Sequence, residues 1–116
     1  MEELIKELAR IEGVKGVAII SNEGLIVTSI LPETIDADAV AGMCATNFRN
    51  GLTTVKVLNA GKIKHILIET DAEFIIFSSL GNSFLATISD RNTNLGYLRI
   101  KIDKAVKEIK VKMLEE

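Results

Sequence analysis

Apolar residues recur along this chain with two different periods, and the switch between them marks out the elements. Between Glu2 and Ile11 they come three and four apart. Leu4, Leu8 and Ile11 share one face of a predicted helix with Ile5 beside them, acidic residues sit in its first turn, and Gly13 ends it. From Gly16 to Ser21 and from Leu25 to Ile30 the composition is that of strands. The turn Asn22-Glu23-Gly24 lies between them, where Gly24 can supply the positive φ of a tight hairpin with a bulge. No nucleophile, base or phosphate-cradling loop sits at its tip, so the hairpin reads as scaffold. Pro32, the only proline, falls in the loop that follows.

The helical period returns from Ala37 to Asn59, with Asp36 as the N-cap, Asp38 in the first turn and Gly61 just beyond the end. Three more strands are predicted at Lys62 to Thr70, Glu73 to Leu80 and Ser83 to Ser89, divided by turns at Asp71-Ala72 and Gly81-Asn82. A last helix starts near Asn92 to Asn94 and runs to the end of the chain on the stripe Leu98, Ile102, Val106, Ile109 and Met113. The order helix, two strands, helix, three strands, helix implies an α+β fold with a five-stranded antiparallel sheet. Phe74-Ile75-Ile76-Phe77, read as the central strand, is apolar on both sides, which calls for helices on both faces. Lys62 and Lys64 read as charges that guard an edge strand.

The middle helix is the anomaly. At 100° per residue, Ala37, Ala41, Cys44, Phe48, Leu52 and Val55 fall within about 80° of one another and form the face meant for the sheet. Asp38, Arg49 and Lys56 gather within about 20° on one flank. The back, Ala39, Met43, Thr46, Asn50, Thr53 and Val57, carries no charge at all. A solvated helix back alternates Glu and Lys. This one predicts a second surface lying over it, with Gly42 and the small Ala39 allowing close approach.

Composition narrows the function classes. The chain has 116 residues, enough for one domain that buries roughly two-thirds of its unfolded surface. A net charge of -2 gives no reason to expect nucleic acid as a partner. A single cysteine cannot form an internal disulfide, and Met1-Glu2-Glu3 is acidic where a secretory leader would be basic. No apolar run reaches spanning length, so no membrane insertion is expected. These features together predict a soluble cytoplasmic protein.

Candidate chemistry is sparse. His65, the only histidine, has no second ligand at metal spacing and reads as a surface or interface residue. Cys44 falls on the core stripe, where a buried thiol behaves as a small hydrophobe. Asp90-Arg91-Asn92-Thr93-Asn94 reads as a loop ending in an N-cap. Glu2-Glu3 and Glu115-Glu116 are terminal solvated charge, and Gly13-x-x-Gly16 lacks the third glycine and preceding strand of a dinucleotide site. Neither a catalytic residue nor a metal or cofactor site is expected, and the chain reads as a non-enzyme.

Taken in order, Gly13-Val14-Lys15-Gly16-Val17, Ser21-Asn22-Glu23-Gly24, Ala39-Val40-Ala41, Lys62-Ile63 and Asn94-Leu95-Gly96-Tyr97-Leu98-Arg99 resemble the roadblock/LC7 domain family, nearly end to end. The resemblance implies a profilin-like and longin-like sheet, with the middle helix on one face and the terminal helices on the other. It also implies homodimers or heterodimers with a paralogue, in which middle helices pack antiparallel and third strands pair edge to edge. Ala39, Met43, Thr46, Asn47, Asn50, Ile63, His65 and Leu67 would then be the dimer contacts. The implied role is an adaptor or regulator of a small Ras-like GTPase. Activation of such a GTPase often uses an arginine finger, and Arg49, Arg91 and Arg99 are present without a basis for choosing among them. The alternative is a small-molecule sensor or general scaffolding module of the same fold. Against a sensor, Phe48, Leu52, Val55, Phe74 and Ile76 predict a closed apolar core.

Overall fold

A computed structural model describes residues 1–115; Glu116, the last residue of the predicted final helix, lies outside them. The elements are α1 (Glu2–Ala9), β1 (Val14–Ser21), β2 (Ile26–Ile30), α2 (Ala37–Val57), β3 (His65–Glu69), β4 (Glu73–Ser79), β5 (Ser83–Asp90) and α3 (Leu95–Glu115). The five strands form one antiparallel sheet in the order β2-β1-β5-β4-β3. The predicted element order and fold class hold. The centre of the sheet is β5, however, and not the Phe74–Phe77 strand, which lies in β4 one place in from an edge. Ser83, Thr87 and Ser89 give β5 a polar look, yet all three are buried.

The sheet separates two apolar clusters. Alternate residues of each strand point to opposite faces. Val17, Ile19, Ile76 and Leu85 therefore pack beneath α1 and α3, against Ile5, Leu8, Leu98, Ile102 and Ile109. Ala18, Ile20, Phe77, Phe84 and Ala86 pack beneath α2, against Ala41, Ala45 and Phe48. The rings of Phe48 and Phe84 stack with centroids 4.7 Å apart, and Phe77 meets Phe84 edge-on at 5.6 Å. Ala45 sits at the middle of the α2 contact, so the helix is rotated slightly from the predicted stripe, and Cys44 is half-buried at its margin instead of being core.

Local chemistry explains the boundaries. Helix α1 stops two residues before Ile11 because the chain must swing through Gly13, at φ +93°. A Cβ there would lie 2.1 Å from the Thr93 hydroxyl, so only glycine fits. Asp36 caps α2 by accepting from the Ala39 N–H at 3.2 Å. The helix ends at Val57, where Asn59 takes the left-handed conformation at φ +53° and the Ala60 N–H returns to the Val55 carbonyl. The expected hairpin turn is present. Gly24 has φ +98°, the Ser21 N–H donates to the Leu25 carbonyl, and the β1–β2 register shifts between Ile19 and Ile20. Its tip is tied to the neighbouring turn, since Asn22 donates from its backbone to Asn82 and from its side chain to Gly81.

A candidate interaction surface on α2 and β3

A helix is about 10 Å across and strands lie about 4.8 Å apart, so one helix spans little more than two strands. Two helices share one face of this sheet, while α2 covers the other alone. The result is visible beside it: Ile66, Ile68 and Ile75 pack against the α2 cluster but remain only half-buried. The apolar layer is unfinished on the side of β3.

The outward face of α2 carries the predicted contact residues. Ala39, Met43, Thr46, Asn47 and Asn50 are all exposed, Met43 by 60%, and Val57 continues the face at 78%. Three of its polar side chains bond back to the helix backbone. Thr46 Oγ1 donates to the Gly42 carbonyl at 3.0 Å, Asn47 Nδ2 to Met43 at 3.1 Å, and Thr54 Oγ1 to Asn50 at 2.8 Å. Such a face can be covered without leaving these three donors unsatisfied, which lowers the cost of burying it. Gly42 belongs to the same region. A Cβ on it would meet nothing within 4 Å, so nothing among the described residues requires a glycine that costs the helix about 0.5–1 kcal/mol. Gly51 is the contrast, since a Cβ there would press on Ile66 at 2.5 Å and Ile63 at 3.0 Å.

Strand β3 is five residues long instead of the predicted nine, because the chain is still rounding the end of α2 through Asn59 and Gly61, at φ +92°. Lys62 and Lys64 consequently precede the strand and do not guard its edge as predicted. Ile63 also precedes it and packs into the α2 cluster, so of the predicted contacts it is already engaged within the chain. The Lys64 carbonyl accepts from Ser79, and the Thr70 N–H donates to Glu73. Even-numbered backbone groups therefore face β4, and those of His65, Leu67 and Glu69 face the open edge. Leu67 is 44% exposed there.

His65 is more engaged than its sequence context suggests. One ring nitrogen, Nδ1, is 2.8 Å from the Ser78 hydroxyl, and Nε2 is 2.9 Å from the Asp103 carboxylate on α3. The three residues imitate the serine–histidine–aspartate order of a hydrolase. Ser78 has 0% exposure, though, so no solute reaches its hydroxyl, and the trio acts as a clasp between β3, β4 and α3. Among the described residues no group of three His, Cys, Asp or Glu side chains is placed to hold a metal ion. Burial pushes the Cys44 thiol above its ordinary range, which favours the unreactive protonated form. Of the three arginines considered as fingers, two are committed: Arg49 donates to the Asn22 carbonyl at the hairpin tip, and Arg91 pairs with Glu69 at 2.6 Å over the Phe74 ring. Arg99 has no ion-pair partner among the described residues. No helix in the described residues is long and apolar enough to cross a membrane.

The sequence matches the profile of the Roadblock/LC7 domain over residues 1–90, three-quarters of the chain and all of its sheet. The protein belongs to the roadblock/LC7 family. An uncharacterised protein of Methanocaldococcus jannaschii is 28% identical over 110 residues, which span 95% of this chain and 96% of that one. Among solved structures, Myxococcus xanthus MglB superposes with a TM-score of 0.93 at 21% identity, covering 98% of this chain and 94% of MglB. A second MglB structure, described as having a tetrameric arrangement, gives 0.85 at 17% identity, with 94% and 84% covered. At such identities these structures establish the roadblock/LC7 fold of the chain and nothing finer. Within that fold the uncharged outer face of α2 and the open β3 edge lie side by side.

Proposed function

We propose that this roadblock/LC7 protein is a non-catalytic cytoplasmic adaptor that pairs with a second copy of itself or a paralogue and modulates a small Ras-like GTPase. The observation that carries the reading is the α2 back: uncharged, exposed and adjoining an unfinished apolar layer. A second α2 laid antiparallel over Met43 and Gly42 would cover that layer, and two β3 edges could pair through His65, Leu67 and Glu69. The tetrameric arrangement recorded for one MglB is in keeping with self-association in this fold. Family membership supports the GTPase partner, since roadblock/LC7 proteins regulate or scaffold Ras-like GTPases. The occupied His65 and inaccessible Ser78 favour a role without turnover of its own.

Light scattering over a concentration series tests the pairing. A mass near twice 12.7 kDa supports it, and a monomer at every concentration overturns it. The regulatory half needs a Ras-like GTPase from the same organism, immobilised with GDP or a non-hydrolysable GTP analogue. Affinity that differs between the two nucleotide states is expected; equal or absent binding to every such GTPase removes the assignment.

A further inference from the structure

The cations of this chain are unevenly used. Lys6, Lys15, Arg91, Lys104 and Lys112 each lie within 4.0 Å of a carboxylate, Arg49 is held by the hairpin, and Lys101 lies over the Tyr97 ring. Six others, Lys56, Lys62, Lys64, Arg99, Lys107 and Lys110, line a single open groove, and Arg10 lies apart from it beside the α1 end. None of these six forms an ion pair among the described residues. Among the described residues the one carboxylate in the groove wall, Asp103, is taken by His65. The contrast within α3 is direct. Lys104 and Lys112 have Glu108 and Glu115 beside them, whereas Lys107 and Lys110 open into the groove unpaired. A chain of net charge -2 has thus gathered a strongly positive strip between the end of α2, the segment before β3 and the middle of α3.

The strip has an apolar component as well. Leu52, Val55, Ile63 and Val106 contribute to its lining, and exposed Leu58 follows the end of α2 close by. Five of the six cations are lysines, which act as mobile point charges and do not form the planar fork that recognises a phosphate. The space, about 1150 Å³, exceeds the usual range of small-ligand sites. We infer that this groove is the docking site for an acidic amphipathic segment of a partner protein, its carboxylates on the lysine rim and its apolar side chains on the Leu52, Val55, Ile63 and Val106 lining. The inference does not require the partner to be a GTPase.

The test uses the full chain and a fluorescent peptide of about a dozen residues in which Glu alternates with Leu, read by anisotropy. The variant is Lys62→Glu/Lys64→Glu/Lys107→Glu, three exposed positions whose reversal leaves the core untouched. We expect the variant to keep its thermal midpoint and oligomeric mass and to bind the peptide about tenfold more weakly. Raising salt from about 50 to about 300 mM should weaken the wild-type complex by a similar factor and the variant's far less. A peptide with Ser in place of Leu should bind several-fold more weakly. Equal binding of wild type and variant overturns the groove. Equal affinity for the Leu and Ser peptides, or tighter binding of inorganic tripolyphosphate than of the Leu peptide, overturns the amphipathic segment as its occupant. If the variant fails with the peptide but still binds a GTPase in a nucleotide-dependent way, the groove and the GTPase surface are separate sites.

Discussion

The two faces of this one sheet are finished in different ways. Under α1 and α3 the packing is aliphatic and two helices share the cover, but the layer tolerates buried hydroxyls at Ser78, Thr87 and Ser89. Under α2 it is wholly apolar and centred on three phenylalanines, yet a single helix covers it and leaves isoleucines half-buried at its side. The first face is complete with imperfections inside; the second is perfect inside and incomplete at its margin. A margin of that kind is where a second chain gains most by binding, because the apolar area is already assembled and only its cover is missing.

Substitutions on α2 separate its inner face from its outer one. Phe48→Ala should cost the chain about 3–5 kcal/mol, since it removes the ring stacked on Phe84 and leaves a cavity that Ala41 and Ala45 cannot fill. Denaturant titration reads this, and a loss below 1 kcal/mol would mean that α2 is loosely held. Met43→Glu probes the outer surface of the same helix. The side chain is exposed in the single chain, so the fold should keep its stability while association weakens by about 2 kcal/mol, some thirtyfold. Sedimentation of the variant at micromolar concentration distinguishes the two effects.

Beneath α3, Thr87→Val should stabilise the chain by about 1 kcal/mol, because the Thr87 hydroxyl is buried without a hydrogen-bond partner among the described residues and valine keeps its shape. A destabilised variant would indicate a bound water there. The smallest effect concerns pH. Cys44 has a folded pKa raised above its ordinary 9.0 by desolvation, and Lys15 is raised above 10.5 by its hydrogen bond to Glu73. Both groups hold their protons more tightly when folded, so their contributions are intact below those ordinary values and fade as pH rises through the folded ones. Cys44→Ala should therefore flatten the first part of the alkaline decline in stability and leave neutral behaviour unchanged.

Most of the fold was legible in the sequence because it is written in local signals. Asp36 caps, Gly24 turns, and the 3.6-residue stripe of α3 needs no knowledge of its neighbours. The uncharged back of α2 was legible in the same way, by projection around a helix. Errors arose where tertiary context outranked composition. Lys62-Ile63-Lys64 has strand composition, but β4 offers it no continuing partner once Ser79 gives way to the Gly81 turn. Ser83, Thr87 and Ser89 made the central strand look peripheral, since nothing local announces that a hydroxyl will be buried. The partners of His65 lie 13 and 38 residues away, and the groove draws its six cations from three separate segments. No window along the chain could have brought either set together.

The His65 clasp has a mechanical consequence. By its backbone this residue belongs to the open edge of the sheet, and by its ring it is fastened to Asp103 on a helix that packs on one face. Whatever grips the edge therefore also loads α3, as a hand on a door frame is felt through the hinge. A fluorophore placed on α3 near Asp103 would register occupancy of a strand edge that it never touches.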